Sequence, residues 1–334
     1  MSQVFRIIGA GEWGLSYANH LANLGVNVEV YIRNPSTISM LQSTRSIKNI
    51  NLELHKEINL YLLNDLLAKN ESGNIINILA PSSSGFSDIL STYSAYFNQY
   101  ESLTWLTKGL DHDSGLLFHA LIDDLLSPSI NKAIISGPSF ASDLNSKKNI
   151  RISIASTSKE LIKIISDASV TNYFYLAPTN NIIGVEISGI LKNISAIIAG
   201  ALTINGYPDE YIENLIAKSQ HEVQAMSEHL LSLEKNHHSD VILDNIIDSP
   251  ACNGDMHLTC FHDTSRNRQL GLKLKSNYDV KKALKRIGTV EGYLSTYTLY
   301  NNPELYKKNV IVETAYNILY KNSDIDMQLK SLFL

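Results

Sequence analysis

GAGEWG, at residues 9–14, lies between a short apolar run and a helical pattern. The apolar run is VFRII at 4–8, the helical pattern is LSYANHL at 15–21, and a second strand-like run, VNVEVYI, follows at 26–32. A G-x-G-x-x-G motif between a strand and a helix, inside a unit of βαβ length, is the fingerprint of a dinucleotide-binding fold. The alternative, a chance glycine turn, is disfavoured by this context.

The three glycines have separate roles in such a turn. We expect Gly9 to allow the tight turn, Gly11 to let the backbone approach a pyrophosphate, and Gly14 to let the helix pack close to the sheet. Backbone N–H groups at the start of the helix would then bind the anion.

Length and composition are those of an ordinary soluble protein with room for two domains. The chain has 334 residues, of which 44% are hydrophobic and 18% charged, within the usual range. Its formal net charge of −5 gives no electrostatic case for a nucleic-acid partner. We read no apolar run as long as the roughly 20 residues of a membrane helix, and no signal peptide before the first strand. Only two cysteines are present, which favours a reducing compartment. We therefore expect a cytoplasmic protein, and from the apolar runs we expect no membrane span.

Strand-like and helical segments alternate through the first half of the chain, which predicts a mostly parallel sheet. Three of the strands lead into polar or glycine-containing loops, which should converge on one crevice because ligands bind at the carboxyl ends of parallel strands. The further strand-like runs are 75–80, 103–106, 133–136 and 150–155, and the loops are PSSS at 81–84, TKG at 107–109 and GPS at 137–139.

The pattern becomes apolar and helical from about residue 182 onward. We therefore predict an α/β Rossmann-type N-terminal domain at 1–180, followed by an all-α C-terminal domain at 181–334. The polar stretch at 234–240, with the pair His237-His238, is predicted to be a surface loop.

Two lysines are candidates for chemistry. Lys108 follows a predicted strand at the binding edge of the sheet, and Lys192 lies inside an apolar helical run. A lysine in such a run either extends to solvent or is held at a site. Glu186, Gly189 and Asn193 share its helix face, which favours a site. A desolvated lysine has a lowered pKa and can act as a general acid–base.

A polar group of residues in the second half suits a phosphate. It consists of Gly254-Asp255 and the run SRNR at 265–268, where arginine is combined with hydroxyl and amide donors. The alternative is a solvated loop with two surface arginines.

Two cysteines and two histidines at 252–262 invite comparison with zinc sites. The spacing of Cys252, His257, Cys260 and His262 does not match the usual paired-ligand patterns. We expect buried thiols, incidental histidines and no metal.

Taken together, the motifs resemble those of the NAD(P)-dependent sn-glycerol-3-phosphate dehydrogenases of the soluble bacterial type. They occur in the family's order and extend from near the N-terminus to past residue 290. The matching motifs are GAGEWG at 9–14, TKGL at 107–110, SGPSFA at 136–141, LKNISAI at 191–197, GD at 254–255, LTC at 258–260, SRNR at 265–268 and VEGY at 290–293.

The resemblance implies a reversible reduction of dihydroxyacetone phosphate to sn-glycerol 3-phosphate, the backbone of glycerophospholipids, by NADP or NAD. It makes Lys192 the catalytic proton donor and acceptor. It implies substrate contacts for Lys108, Gly137, Ser139, Lys192, Asp255, Ser265, Arg266 and Asn267. Together with the motif glycines, it implies cofactor contacts for Gly9, Gly11, Glu12, Trp13, Gly14, Arg33, Lys108, Ala141, Arg266 and Glu291. A homodimer is a further hypothesis.

Arg33 bears on the choice of cofactor. NAD-selective folds place an acidic residue about 20 residues past the glycine motif, to bind the ribose 2′-hydroxyl. Here Glu29 lies too early, inside the second strand, and Arg33 ends it. A cation at that position pairs with a 2′-phosphate, so we expect NADPH to be favoured. The alternative is that Arg33 stacks on adenine and accepts both cofactors.

Some positions depart from the family pattern. Cys252-Asn253 replaces Gly-Leu, Asp143 replaces a glutamate, and the glycine-rich region at 200–224 is poorly kept, with Lys218 and Ser219 near its end. These departures leave two alternatives open. One is a paralogue acting on another small phosphorylated or hydroxylated substrate, and the other is a cofactor-binding homologue without activity.

Overall fold

The computed structural model describes residues 3–68, 74–233, 242–275 and 279–333. The stretch at 234–240, with its His237-His238 pair, lies outside these residues. The chain forms two compact units. The first comprises Met1–Asp111 and Phe118–Ile182, and the second comprises His112–Leu117 and Ile183–Leu334.

The first unit contains an eight-stranded sheet, a separate two-stranded sheet and helices, and strands and helices alternate as the sequence pattern predicts. Its strands are β1 Val4–Ile8, β2 Asn27–Ile32, β3 Ser46–Ile47, β4 Leu52–Glu53, β5 Asn59–Leu62, β6 Ile75–Leu79, β7 Ser102–Trp105, β8 Asn131–Ser136, β9 Ile150–Ser156 and β10 Phe174–Thr179. Its helices are α1 Glu12–Asn23, α2 Pro35–Thr44, α3 Phe86–Thr92, α4 Ser94–Phe97, α5 Phe118–Leu125, α6 Ala141–Asn145 and α7 Lys159–Ser169.

The sheet order is β10-β9-β8-β7-β6-β1-β2-β5, and β3 pairs separately with β4. Neighbouring strands of the large sheet are parallel except for β8 and β9. The central strands carry fully buried apolar residues on both faces, Ile7 and Ile78 on one face and Ile8 and Leu79 on the other. This pattern is expected of a parallel sheet covered on both sides, and it confirms the predicted fold class.

Two edge strands were not predicted from the sequence. β10 contains Pro178, which lowers strand propensity but is tolerated at an edge. β5 has only four residues, of which the two end residues are exposed and the two central ones half-buried. Each of these edge strands forms by hydrogen bonding to one neighbouring strand, β10 to β9 and β5 to β2. The sequence of the edge strand alone is therefore a weak signal.

In the part of the second unit that the structure describes, the regular secondary structure is entirely helical. Its helices are α8 Ile182–Ile204, α9 Asp209–Leu233, α10 Asp255–Phe261, α11 Arg266–Gly271, α12 Val280–Ile287, α13 Glu291–Asn301, α14 Pro303–Tyr306, α15 Val310–Leu319 and α16 Ile325–Ser331. A π-helical turn at Pro250–Gly254 leads directly into α10.

Helix α8 corrects one expectation from the sequence. Its 23 residues are long and apolar enough to cross a membrane, although Glu186 and Lys192 interrupt the run. Its most apolar 18-residue window is nevertheless completely buried inside the protein. With only two charged residues in about six turns, the helix is apolar on average. A helix buried on all sides in a protein core has the same composition as a membrane-spanning helix. We therefore interpret α8 as a core helix.

Candidate active site

The glycine turn after β1 is shaped by the end of the neighbouring strand β6. Gly9 has a φ of +120°, and a Cβ added there would lie 2.5 Å from the Ala80 carbonyl oxygen. A Cβ on Gly14 would lie 2.8 Å from the Ala80 side chain. Both positions therefore require glycine, one for backbone conformation and close approach, the other for the contact between α1 and the sheet.

Gly11, in contrast, faces open space. It is exposed, and a Cβ there would meet only the Ala80 oxygen, at 3.7 Å. The first backbone hydrogen bond of α1 runs from Leu15 N to Gly11 O at 2.9 Å, so the N–H groups of residues 12–14 precede the intrahelical ladder. An open glycine in front of donor groups at a helix N-terminus fits a dinucleotide pyrophosphate.

The loops that follow β6, β7 and β8 meet at one edge of the sheet, as predicted. Thr107 Oγ1 donates to the Pro81 carbonyl at 2.9 Å, and Lys108 Nζ donates to the Gly137 carbonyl at 2.9 Å. Ser139 lies two residues further on, with Oγ 3.4 Å from the same carbonyl. These bonds join the three loops in the first unit.

Arg33 is exposed and directly follows β2. Its guanidinium lies near the loop after β6, with Nη1 3.9 Å from where a Cβ on Gly85 would be. Arg33 makes no hydrogen bond or ion pair with any residue in the described part of the chain. The cation is therefore available for an anionic ligand. Trp13 is half-buried against the core, and Ala141 begins α6.

Lys192 is held by two side chains from α10. The residue is 8% exposed, and its Nζ donates to Asp255 Oδ1 at 2.8 Å and to Thr259 Oγ1 at 3.2 Å. Thr259 Oγ1 in turn donates to the Asp255 backbone carbonyl at 2.6 Å. Asp255 itself is 1% exposed. The lysine that the sequence singled out is therefore an oriented, ion-paired ammonium rather than one extended into solvent.

Thr259 is a site residue that the sequence reasoning missed, whereas Asn193 was already placed beside Lys192. Thr259 lies one helical turn after Asp255, within the LTC motif, and this i,i+4 spacing could have indicated it. Asn193 follows Lys192 and accepts a hydrogen bond from Asn267 Nδ2 at 2.9 Å. This bond connects the lysine segment of α8 to the start of α11.

The residues of the SRNR run lie in different environments. Ser265 caps α11, with Oγ accepting from the Arg268 backbone N–H. Arg268 is buried and donates to Asp263 Oδ1, to the Cys260 carbonyl and to a threonine hydroxyl of α8. Arg266 is exposed and forms no hydrogen bond or ion pair with the residues described. Of the two arginines, Arg268 stabilises the fold and Arg266 is available to a ligand.

Glu291 is positioned by a close contact between two helices. The next residue, Gly292, lies in the first turn of α13, so near to α8 that a Cβ would lie 2.5 Å from the Asn193 carbonyl oxygen. Gly292 N donates to Asn267 Oδ1 at 2.9 Å. The Glu291 carboxylate lies 3.6 Å from His112 Nε2. The second unit thus joins the VEGY, SRNR and LKN motifs through one asparagine.

The two cysteines are free and buried. Burial raises the pKa of Cys252 to about 11 and that of Cys260 to about 12, so neither is a ready nucleophile. Among the described residues, no group of three or more His, Cys, Asp or Glu side chains is placed to hold a metal ion.

The positions that depart from the family pattern make contacts inside their own units. Asp143 pairs with Lys148 at 2.7 Å, and Asn253 accepts from Gln220 at 2.9 Å. Lys218 donates to a backbone carbonyl of the C-terminal segment at 2.7 Å. These contacts give the three departures structural roles.

Comparison with known proteins gives consistent matches over both units. Residues 5–162 match the family model for the N-terminus of NAD-dependent glycerol-3-phosphate dehydrogenase, and residues 181–330 match that for its C-terminus. A glycerol-3-phosphate dehydrogenase, NAD(P)+, of Bartonella tribocorum is 31% identical over 323 residues, covering 96% of this chain and 93% of that protein. One of Colwellia psychrerythraea is 28% identical, covering 98% and 95%.

Solved structures share the fold. The crystal structure of glycerol-3-phosphate dehydrogenase from Coxiella burnetii superposes with a TM-score of 0.83 at 24% identity, covering 99% of both chains. The glycine turn, the buried Lys192–Asp255 pair and the sequence matches agree, and the chain belongs to the NAD-dependent glycerol-3-phosphate dehydrogenase family.

Proposed function

We propose that this protein is an NAD(P)-dependent glycerol-3-phosphate dehydrogenase, which reduces dihydroxyacetone phosphate to sn-glycerol 3-phosphate and catalyses the reverse oxidation. The observation that carries the proposal is the hydrogen bond between Asn193 and Asn267. It joins the neighbour of a buried, oriented lysine to the neighbour of an exposed arginine. A proton donor beside a phosphate-binding cation suits a small phosphorylated ketone.

Lys192 is the proposed acid–base. Hydride transfer at C2 is the chemistry that a nicotinamide supplies when bound. Lys192 Nζ holds the proton that the developing alkoxide needs, and it takes the proton back in the oxidation. Asp255 and Thr259 fix the position of the ammonium, so that no reorientation is needed during the reaction.

The substrate's phosphate is assigned to Arg266, with Ser265 and Asn267 beside it. Arg266 offers a forked cation that can bind a phosphate through two hydrogen bonds. The loop residues Lys108, Gly137 and Ser139 are assigned to the same three-carbon ligand, and Lys108 Nζ supplies a second cation.

The cofactor is assigned to the glycine turn. Gly9 and Gly14 shape the turn and Gly11 lets the backbone approach the pyrophosphate. The exposed Arg33 is assigned to an adenosine 2′-phosphate. Further contacts are assigned to Glu12, Trp13, Lys108, Ala141, Arg266 and Glu291.

The proposal also assigns a role to each domain. Residues 1–180 are the proposed cofactor-binding domain, and residues 181–334 carry the substrate and the acid–base. A cytoplasmic location and a homodimer are also part of it. Light scattering coupled to size-exclusion chromatography tests the dimer.

The experiment is oxidation of NADPH and of NADH by the purified protein, followed by absorbance, with dihydroxyacetone phosphate as the acceptor. Unphosphorylated dihydroxyacetone and other small ketones are the comparison substrates, and a stereospecific assay identifies the product. We expect turnover to depend on the phosphate and to give the sn-3 isomer. Preference for a different ketone would identify a paralogue with another substrate, and binding of NADPH without turnover of any ketone would identify a homologue without activity.

A further inference from the structure

A carboxylate stands at the helix end assigned to the pyrophosphate. Glu12 is the first residue of α1, directly after Gly11, and its side chain is exposed. The N-terminus of a helix carries a partial positive charge, which stabilises any anion placed next to it. Glu12 and a bound pyrophosphate are therefore two anions that share one helix end.

Asn49 restrains this carboxylate. Its Nδ2 donates to Glu12 Oε1 at 2.6 Å, from the short turn Lys48–Ile50 that links β3 to β4. The turn is itself anchored, because Asn145 Nδ2 donates to the Ile50 carbonyl at 2.8 Å. Since its donor belongs to an anchored turn, the carboxylate must break a hydrogen bond to move away from an arriving anion.

We propose that Glu12 is a built-in anion at the phosphate-binding end of α1, which stabilises the cofactor-free protein and weakens its affinity for the dinucleotide. The inference rests on the proposed function, since it requires the pyrophosphate to bind at this helix end. The contact between Glu12 and the cofactor is therefore repulsive. The hydrogen bond from Asn49 keeps the carboxylate in place.

Glu12→Gln tests the charge alone, because the amide oxygen can still accept the hydrogen bond from Asn49. NADPH binding is measured by fluorescence titration without substrate. We expect the Kd to fall about tenfold at low ionic strength, which is about 1.4 kcal/mol. The gain should shrink to less than about threefold in 1 M KCl, where the Debye length is about 3 Å. The Tm of the cofactor-free protein should fall by about 1–3 °C, because the helix loses its favourable charge.

Glu160→Gln is the matched control. Glu160 is also exposed and lies in the first turn of α7, in the same unit, but that helix is capped by the Ser158 side chain and follows no glycine motif. This variant should lose a similar amount of thermal stability without any change in Kd. Asn49→Ala should also tighten NADPH binding, by less than Glu12→Gln, because the charge remains but is no longer held in place.

The possible failures can be told apart. Absence of any NADPH or NADH binding by the unmodified protein overturns the proposed function and this inference with it. Normal binding by the unmodified protein, with an equal or higher Kd for Glu12→Gln, overturns the inference alone. An equal gain in affinity for Glu160→Gln also overturns it, because the effect would then be one of net charge.

Discussion

Replacing Lys192 by alanine should affect both stability and turnover, and the structure allows the two losses to be separated. The change removes the ammonium that lies 2.8 Å from Asp255 Oδ1, while Asp255 stays 1% exposed. Removing one partner of a buried ion pair costs about 3–5 kcal/mol, because the other charge loses its compensation. We therefore expect the free energy of unfolding, measured by urea denaturation, to fall by about this amount.

The catalytic loss should have a different origin. Without its proton donor, Lys192→Ala should have a kcat about 10²–10⁴-fold lower, equivalent to about 3–5 kcal/mol in activation free energy. Its Kd for NADPH, measured without substrate, should remain close to that of the unmodified protein. The assay is initial-rate kinetics with dihydroxyacetone phosphate, at a temperature where circular dichroism shows the variant to be folded.

A double variant separates the two effects. Lys192→Ala combined with Asp255→Asn removes both charges, so it should recover most of the lost stability, since burying a neutral amide costs less than burying a lone carboxylate. It should recover none of the turnover. Lys163→Ala is the control, since it removes a lysine from an exposed ion pair with Asp167 on α7 and should cost less than about 1 kcal/mol. Near-normal kcat in a folded Lys192→Ala variant would refute the assignment of the acid–base.

The other predictions concern the two arginine positions and the thiols. Arg266→Ala should raise the KM for dihydroxyacetone phosphate far more than that for dihydroxyacetone, because the exposed guanidinium is assigned to the phosphate. Equal effects on both substrates would contradict this. Arg268→Ala should instead lower the Tm, because it removes buried hydrogen bonds. Arg33→Asp should shift kcat/KM toward NADH, since a carboxylate repels the 2′-phosphate, and unchanged use of NADPH would count against this role. Burial raises the pKa of Cys252 to about 11 and that of Cys260 to about 12, so both thiols should resist iodoacetamide at pH 8 in the native protein and react once it is unfolded; rapid alkylation of the native protein would show that they are accessible.

Local sequence was sufficient for features that depend on neighbours a few residues apart. The G-x-G-x-x-G spacing predicted the turn after β1, because the positive φ of Gly9 is a local property of a turn between a strand and a helix. Apolar runs predicted the central strands, since strands buried on both faces carry apolar residues continuously. Lys192 was recognised as a candidate acid–base because its neighbours along the helix are apolar, and that pattern is visible in the local sequence.

Tertiary structure decided which side chains meet. Ser265 and Asn267 flank an exposed Arg266, yet Arg268, two residues away, is buried, and the tetrapeptide alone does not distinguish the two arginines. The partners of Lys192 are 63 and 67 residues away along the chain, and the role of Gly292 appears only where α13 crosses α8. The sequence by itself determined the fold class and the residue types at the site, because turn conformation and hydrophobic period are local properties. Only the packed structure decided which of these residues are paired and which are left available to a ligand, because such pairings depend on how distant helices come together.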